Sequence, residues 1–123
     1  MMSKVRESIF NSLQFSIPES EVLDLYAGSG SLGIEALSRG ANFSTFVEKS
    51  RECIKILEKN LLLFKNEKKF QIFKDNCFEY FNSEKKIDKK FDIIFIDPPY
   101  KEIKINMLIE KIIYRKLIKK DGI

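Results

Sequence analysis

The segment from Phe91 to Tyr100 constrains the fold more than any other part of the chain. It reads Phe-Asp-Ile-Ile-Phe-Ile-Asp-Pro-Pro-Tyr, so an almost continuous apolar run ends in an acid, two prolines and an aromatic residue. Such a run is typical of a strand buried on both faces, as in a parallel sheet covered by helices. Because proline has no amide hydrogen for a sheet, the strand is predicted to end near Asp97.

The four residues that end this run, Asp97, Pro98, Pro99 and Tyr100, are the candidate catalytic segment. Open α/β sheets bind their ligands beyond the carboxyl ends of the strands, which is where this segment would lie. A bare pair of prolines would indicate only a strand stop and a surface turn. The flanking acid and aromatic residue make the pattern more specific, but it needs a cofactor site beside it.

The composition limits the class of protein. A chain of 123 residues is one domain, here residues 1–123, with room for a single core. No apolar run approaches the length of a membrane span, and Cys53 and Cys77 show no paired spacing, so we expect reduced thiols, a cytoplasmic location and no membrane partner. The absence of histidine excludes His-dependent triads and His-based metal hydrolysis, and we expect no metal. The net charge of +4 permits a nucleic-acid partner without proving one.

Helical and strand patterns alternate along the chain. A helix over residues 3–15 precedes strands at 21–26, 43–47, 70–73 and 91–97, with helices between them and a lysine-rich helix over 103–117. Gly40 suits the left-handed position after the second helix, and Ser50 is predicted to cap the third. This order predicts an α/β fold with a parallel sheet and right-handed crossovers. The turn at Asp121-Gly122 resembles the lead-in to a fifth strand, so we expect the chain to be a fragment.

A candidate cofactor site follows the first strand. Gly28 and Gly30 allow a sharp turn and a close approach of the backbone to a ligand at the start of a helix. Asp24 stands just before this turn, and Glu48 ends the second strand, where it could accept hydrogen bonds from ribose hydroxyls. Asp75, after the third strand, could accept from an adenine amino group or could simply cap the next helix. Together these residues predict a pocket for a nucleoside.

Two cofactors fit this pattern. Gly28-x-Gly30-x-x-Gly33, followed by Glu48, matches the dinucleotide fingerprint of an NAD(P)-dependent oxidoreductase. However, a helix precedes the first strand, Asp24 would repel a pyrophosphate, and hydride transfer gives Asp97-Pro98-Pro99-Tyr100 no role. S-adenosylmethionine carries a positive sulfonium and a positive amino group, which suit Asp24 and the other acids. Gly33 itself is predicted to serve close packing of helix and strand.

Four segments together resemble the class I methyltransferases, and within them the bacterial family that methylates the exocyclic N2 of a guanine in small-subunit ribosomal RNA. They are Val5-Arg6-Glu7-Ser8-Ile9-Phe10-Asn11, the stretch from Leu23 to Ala36, Phe46-Val47-Glu48 and Asp97-Pro98-Pro99-Tyr100. The resemblance implies a Rossmann-like sheet of strand order 3-2-1-4. It also implies S-adenosyl-L-methionine as cofactor, S-adenosyl-L-homocysteine as product, and ribosomal RNA or a small-subunit particle as partner of a monomer.

The resemblance assigns roles to individual residues. Asp24, Gly28 and Gly30 would line the methionine side, with Tyr26 beside them unless it is only a strand aromatic. Glu48 would hold the ribose, Asp75 would neighbour the adenine, and the Asp97 segment would receive the base, with Tyr100 stacked on it. Arg6 and Asn11 are candidate substrate or lid residues on the family pattern alone; ordinary surface positions are the alternative.

The chain departs from that family by lacking an N-terminal β-hairpin and the strands after Gly122. The departures leave the activity of this chain alone open. An adenine-N6 methyltransferase of DNA or RNA is the alternative within the class, since the same four-residue segment serves that amine. An oxidoreductase and a non-catalytic nucleic-acid-binding remnant are the alternatives outside it.

Overall fold

A computed structural model of the chain describes residues 3–82, 90–98 and 122. Its helices are α1 (Ser3–Leu13), α2 (Ser31–Ser38), α3 (Arg51–Asn60) and α4 (Cys77–Asn82), and a 3-10 helix, Leu61–Glu67, continues directly from α3. Its strands are β1 (Glu21–Leu25), β2 (Phe43–Val47), β3 (Phe70–Phe73) and β4 (Ile93–Ile96). None of the helices in these ranges is long and apolar enough to cross a membrane.

The four strands form one parallel sheet in the order β3-β2-β1-β4, which confirms the predicted fold class and strand order. The register pairs Leu25 with Val47 on one side and with Ile96 on the other, and Val47 pairs with Phe73. The last residues of all four strands are therefore level. Side chains that follow these residues emerge along one edge of the sheet.

Alternation along the strands divides the core into two layers. In β1, Val22 packs into the layer under α1, α2 and α3, whereas Leu23 and Leu25 pack into the layer under α4. This is the period of two expected of a strand covered on both faces. Phe10 of α1 and Phe46 of β2 are fully buried in the first layer, and Phe91 is fully buried in the second.

Some element boundaries differ from the prediction. The first helix ends at Leu13 rather than at residue 15; residues 14–16 form a turn, in which the Ser16 amide donates to the Leu13 carbonyl three residues back, and the turn leads to the buried Ile17. The last strand begins at Ile93 rather than at Phe91. Just before this strand, the Asp92 amide donates to the Glu21 carbonyl at 2.8 Å, and the Asp92 side chain accepts from the Glu21 amide at 2.7 Å. The predicted helix over 103–117 and residues 99–121 lie outside the described residues.

Candidate functional site

The level strand ends bring the predicted acids to one edge of the sheet. Glu48 directly follows β2, Asp97 directly follows β4, and Asp75 stands two residues after β3. Asp24 lies inside β1, one residue before its end, with its side chain in the layer between the sheet and α2. The sheet therefore places three of the candidate carboxylates, Asp24, Glu48 and Asp97, on three adjacent strands.

Asp24 is a buried acid with a raised pKa. Only 1% of its surface is exposed, and its Oδ2 accepts a hydrogen bond from the Gly33 amide at 3.0 Å. Burial, with smaller contributions from the carboxylates of Asp97 and Glu48, raises the pKa of Asp24 to about 8, against the lowering effect of the Gly33 hydrogen bond. At neutral pH this side chain is mostly protonated, and a nearby cation would favour its ionised form.

The Glu48 carboxylate joins two turns. Its Oε1 accepts from the Gly28 amide at 2.7 Å, and its Oε2 accepts from the amides of Lys49 at 3.0 Å and Ser50 at 2.8 Å. Ser50 then caps α3, as predicted, with its hydroxyl accepting from the Cys53 amide at 3.3 Å. These bonds hold the Glu48 side chain beside the turn that follows β1.

We name residues 26–30 the glycine loop. Tyr26, Gly28 and Gly30 have positive φ angles of 56°, 59° and 84°, so the loop is wound in the left-handed region. A Cβ added at Gly28 would meet nothing within 4 Å, which leaves open space for a ligand on that side. A Cβ at Gly30 would collide with the Leu57 side chain, so Gly30 supports the loop from the inside.

Gly33 serves packing, as the sequence predicts. A Cβ there would lie 2.8 Å from the Phe46 ring carbon Cζ and 3.1 Å from Asp24 Oδ2. The Ser44 hydroxyl, which is buried in β2, donates to the Gly33 carbonyl at 3.0 Å. The missing side chain thus lets α2 approach the sheet closely enough for its backbone to bond to Asp24.

The remaining candidates lie farther from this centre. Asp75 is exposed and accepts from the amide of Asn76, and it is Asn76 rather than Asp75 whose side chain accepts from the first turn of α4. Arg6 is half-buried and Asn11 is exposed on α1, and the contacts of the described residues do not connect either with the three acids. Pro98 follows Asp97 and is half-buried, whereas Pro99 and Tyr100 lie outside the described residues.

Sequence reasoning missed Asn60. Its Nδ2 donates to the carbonyl of Ser29 in the glycine loop at 2.9 Å, across 31 residues of chain. The residue stands at the end of an amphipathic helix, where an asparagine is unremarkable. No sequence spacing predicts the contact between Asn60 and the glycine loop, because the contact depends on the path of α3 through the fold.

A separate groove of about 340 Å³ runs between α1 and β4. Ser8, Ile9, Ser12 and Leu13 line one side, and Ile93, Ile94 and Phe95 line the other. None of the candidate acids lines this groove, so it is distinct from the candidate site. Among the described residues, no group of three or more acidic, cysteine or histidine side chains is arranged to hold a metal ion.

Comparisons with known proteins agree with this fold. A family model described as "Conserved hypothetical protein 95" matches residues 1–123. The ribosomal RNA small subunit methyltransferase D of Buchnera aphidicola is 39% identical over 120 residues, which are 98% of this chain and 61% of that protein. The protein of the same name from Escherichia coli is 36% identical over 109 residues, or 85% of this chain and 53% of that protein.

A solved structure of a conserved hypothetical protein from Streptococcus pyogenes superposes with a TM-score of 0.83 at 35% identity, over 94% of this chain and 70% of that one. The chain thus spans somewhat more than half the length of the two curated relatives. The family match, which extends over the whole sequence, and the strand order found here lead to one assignment. The chain belongs to the family described as Conserved hypothetical protein 95, and its fold is that of the class I methyltransferases.

Proposed function

We propose that this chain transfers a methyl group from S-adenosylmethionine to the exocyclic N2 amine of a guanine in small-subunit ribosomal RNA. The observation that carries the proposal is the convergence of Asp24, Glu48 and Asp97 at one edge of the sheet, where Glu48 also accepts from the Gly28 amide of the glycine loop. A buried acid with two further acids beside it fits a ligand that is positively charged and carries a diol. The names of the relatives, ribosomal RNA small subunit methyltransferase D, support methyl transfer to small-subunit ribosomal RNA.

The same contacts weigh against a dinucleotide. A pyrophosphate binds to free backbone amides at a helix N-terminus. Here the Gly28 and Gly33 amides already donate to the carboxylates of Glu48 and Asp24. A pyrophosphate would have to displace two acids and then lie beside them, so the oxidoreductase alternative is disfavoured electrostatically.

The residues present fit S-adenosylmethionine. Asp24 and the glycine loop would hold the methionine end, Glu48 would hold the ribose, and Asp75 would lie toward the adenine. When bound, the cofactor supplies a methyl group on a positively charged sulfur. Asp97 would accept a hydrogen bond from the guanine amine, which orients its nitrogen and stabilises the positive charge that builds on it. Asp97 or water would then take the proton that the amine loses.

The test is calorimetric titration of the chain with S-adenosylhomocysteine and, in parallel, with NADH. Binding of the first alone supports the proposal, and binding of NADH alone contradicts it. Transfer of a radioactive methyl group to small-subunit RNA or particles then tests the reaction. Transfer to adenine in DNA would instead support the adenine-N6 alternative. Ligand binding without any methyl transfer would favour a non-catalytic nucleic-acid-binding remnant.

Replacing Asp97 separates binding from chemistry. We expect Asp97→Asn to lower methyl transfer at least about a hundredfold, because it removes a charge that stabilises the transition state. The dissociation constant for S-adenosylhomocysteine should not rise, since Asp97 is assigned to the base and its charge opposes the ionisation of Asp24. Asp24→Asn is the matched comparison and should weaken ligand binding first. Equal loss of binding in both variants would argue against this division of roles.

A further inference from the structure

Positive charge is concentrated on one side of this molecule. Residues 49–74, which contain α3, the 3-10 helix and β3, carry eight lysine or arginine residues and three glutamates. Residues 3–48 carry only three basic residues and six acids. Among the described strands, β3 is the outermost on one side of the sheet, and β4, which leads to Asp97, is the outermost on the other. The β3 side is therefore basic, whereas the candidate site is acidic.

Three of these cations form a row on α3. Arg51, Lys55 and Lys59 are exposed and recur every four residues, so they lie above one another along one side of the helix. We name these three residues the basic face of α3. Like charges at this spacing repel one another and destabilise a helix unless an anion neutralises them. Within the part of the chain that the structure describes, none of the three takes part in an ion pair, and neither does the nearby Glu52.

An acid beside the basic face has a partner elsewhere. Glu58 stands between Lys55 and Lys59 in the chain, but its Oε1 lies 3.7 Å from Lys74 Nζ. Lys74 directly follows β3, so this ion pair places the second half of α3 beside the carboxyl end of that strand. The basic face therefore borders the same edge of the sheet that carries the candidate acids.

The spacing of the cations fits an extended anion. Arg51 and Lys59 are eight residues apart, which is about 12 Å along a helix axis, so one phosphate cannot bond to all three residues of the basic face. Lys74 and Asp97 directly follow the two outermost strands, three strand spacings or about 14 Å apart. A single nucleotide with its base at Asp97 is too short to span this distance, whereas a polynucleotide spans it.

We propose that the basic face of α3 binds backbone phosphates of the RNA substrate while the target guanine lies at Asp97. The inference rests on the function proposed above and adds the surface that holds the RNA. An acidic site repels a polyanion, and cations on the neighbouring surface offset this repulsion. Because contacts to phosphates carry no sequence information, the basic face should contribute to affinity and not to the choice of nucleotide.

The test compares two double variants that remove the same charge. Lys55→Gln/Lys59→Gln removes two cations of the basic face, and Lys4→Gln/Lys90→Gln removes two exposed lysines outside it, one on α1 and one ahead of β4. Glutamine has nearly the helix propensity of lysine, so both variants should keep the wild-type melting temperature. The probe is a fluorescently labelled RNA hairpin with guanines in its loop, and its fluorescence anisotropy is titrated at several salt concentrations.

The basic-face variant should bind the hairpin at least about tenfold more weakly than the wild type in 0.1 M salt. The logarithm of its association constant should also fall less steeply with the logarithm of the salt concentration, by about 1.4–1.8, since each lost phosphate contact removes about 0.7–0.9. The control variant should bind the hairpin like the wild type. Equal weakening in both variants, an unchanged slope in the basic-face variant, or no binding of the hairpin by the wild-type chain would overturn the proposal.

Two further measurements identify the partner and separate docking from the cofactor site. Poly-glutamate that displaced the hairpin as well as unlabelled RNA does would show that any polyanion fits and would overturn the assignment to RNA. The dissociation constant for S-adenosylhomocysteine should be the same in both double variants as in the wild type. Failure of the wild-type chain to bind S-adenosylhomocysteine would contradict the proposed function instead, and the hairpin titrations would still decide whether the basic face binds RNA.

Discussion

At the scale of single residues, the site depends on a carboxyl group that folding keeps protonated. Asp24 is buried between β1 and α2, with a pKa of about 8. The Gly33 amide donates a hydrogen bond to it, and the two nearby acids add negative charge. A cationic ligand would reverse this balance, because it stabilises the ionised form that burial disfavours.

The affinity for S-adenosylhomocysteine should therefore depend on pH. Because the ammonium group of the ligand favours ionised Asp24, binding should strengthen as the pH rises from 6 to 8, by at most about tenfold per pH unit, and level off above the pKa. Calorimetry across this range measures the effect. Asp24→Asn should bind more weakly with a nearly flat profile; a wild-type affinity that is constant or falls with rising pH would contradict the assignment.

Two glycines of the same fingerprint should respond differently to alanine. Gly33→Ala brings a methyl group against the Phe46 ring and should lower the free energy of unfolding by about 1–3 kcal/mol. Gly28→Ala faces open space and costs only the left-handed φ, about 1 kcal/mol. Urea unfolding measures both. We expect Gly28→Ala to weaken ligand binding more than Gly33→Ala does. If Gly28→Ala proved the more destabilising of the two, α2 would not pack tightly against the sheet at Gly33.

At the scale of the elements, the bounds of the helices and strands were easier to predict from the sequence than the contacts between residues far apart in the chain. The strands at 43–47 and 70–73 agree with the structure residue for residue, because polar and charged residues flank short segments rich in aromatic and β-branched residues there. The helical spacing of Ile54, Leu57, Leu61 and Phe64 predicts a single longer helix after Ser50. The structure instead tightens the chain into a 3-10 helix from Leu61, which apolar spacing cannot distinguish from a longer α-helix.

The start of α3 gives the prediction at this scale. Ser50→Ala removes the hydroxyl that accepts from the Cys53 amide and should lower the free energy of unfolding by about 1 kcal/mol. Ser12→Ala is the matched control, because that exposed hydroxyl only donates back to a carbonyl within α1. Thermal unfolding followed by circular dichroism compares the two variants. An equal, small effect in both would mean that Ser50 does not cap the helix in solution.

At the scale of the whole molecule, the fold class and the edge that carries the site were predictable, and the electrostatics were not. The alternation of strands and helices determines a parallel sheet, and parallel strands present their carboxyl ends together. The sequence therefore located Asp24, Glu48 and Asp97 at one edge. It could not show that Asp24 is fully buried, because that depends on how closely Gly33 lets α2 approach.

Burial of Asp24 also makes the stability of the molecule depend on pH. Its pKa is raised from 3.8 to about 8 on folding, so between these values the folded chain holds a proton that the unfolded chain has lost. The free energy of unfolding should fall as the pH rises from 4 to 8, with a contribution from Asp24 of up to about 1.4 kcal/mol per pH unit. Urea titrations of the wild type and Asp24→Asn measure it as a difference. Parallel curves for the two proteins would refute it.

The three amides bonded to Glu48 limit how many further hydrogen bonds its carboxylate can accept. A carboxylate offers about four lone-pair positions, and Gly28, Lys49 and Ser50 fill three of them. A ribose that presents two hydroxyls needs two positions, so at least one amide has to withdraw. In the proposed complex, recognition of the sugar would then exchange one set of hydrogen-bond partners for another with little net gain in bonds, and the adenine and methionine ends of the cofactor would supply most of the affinity.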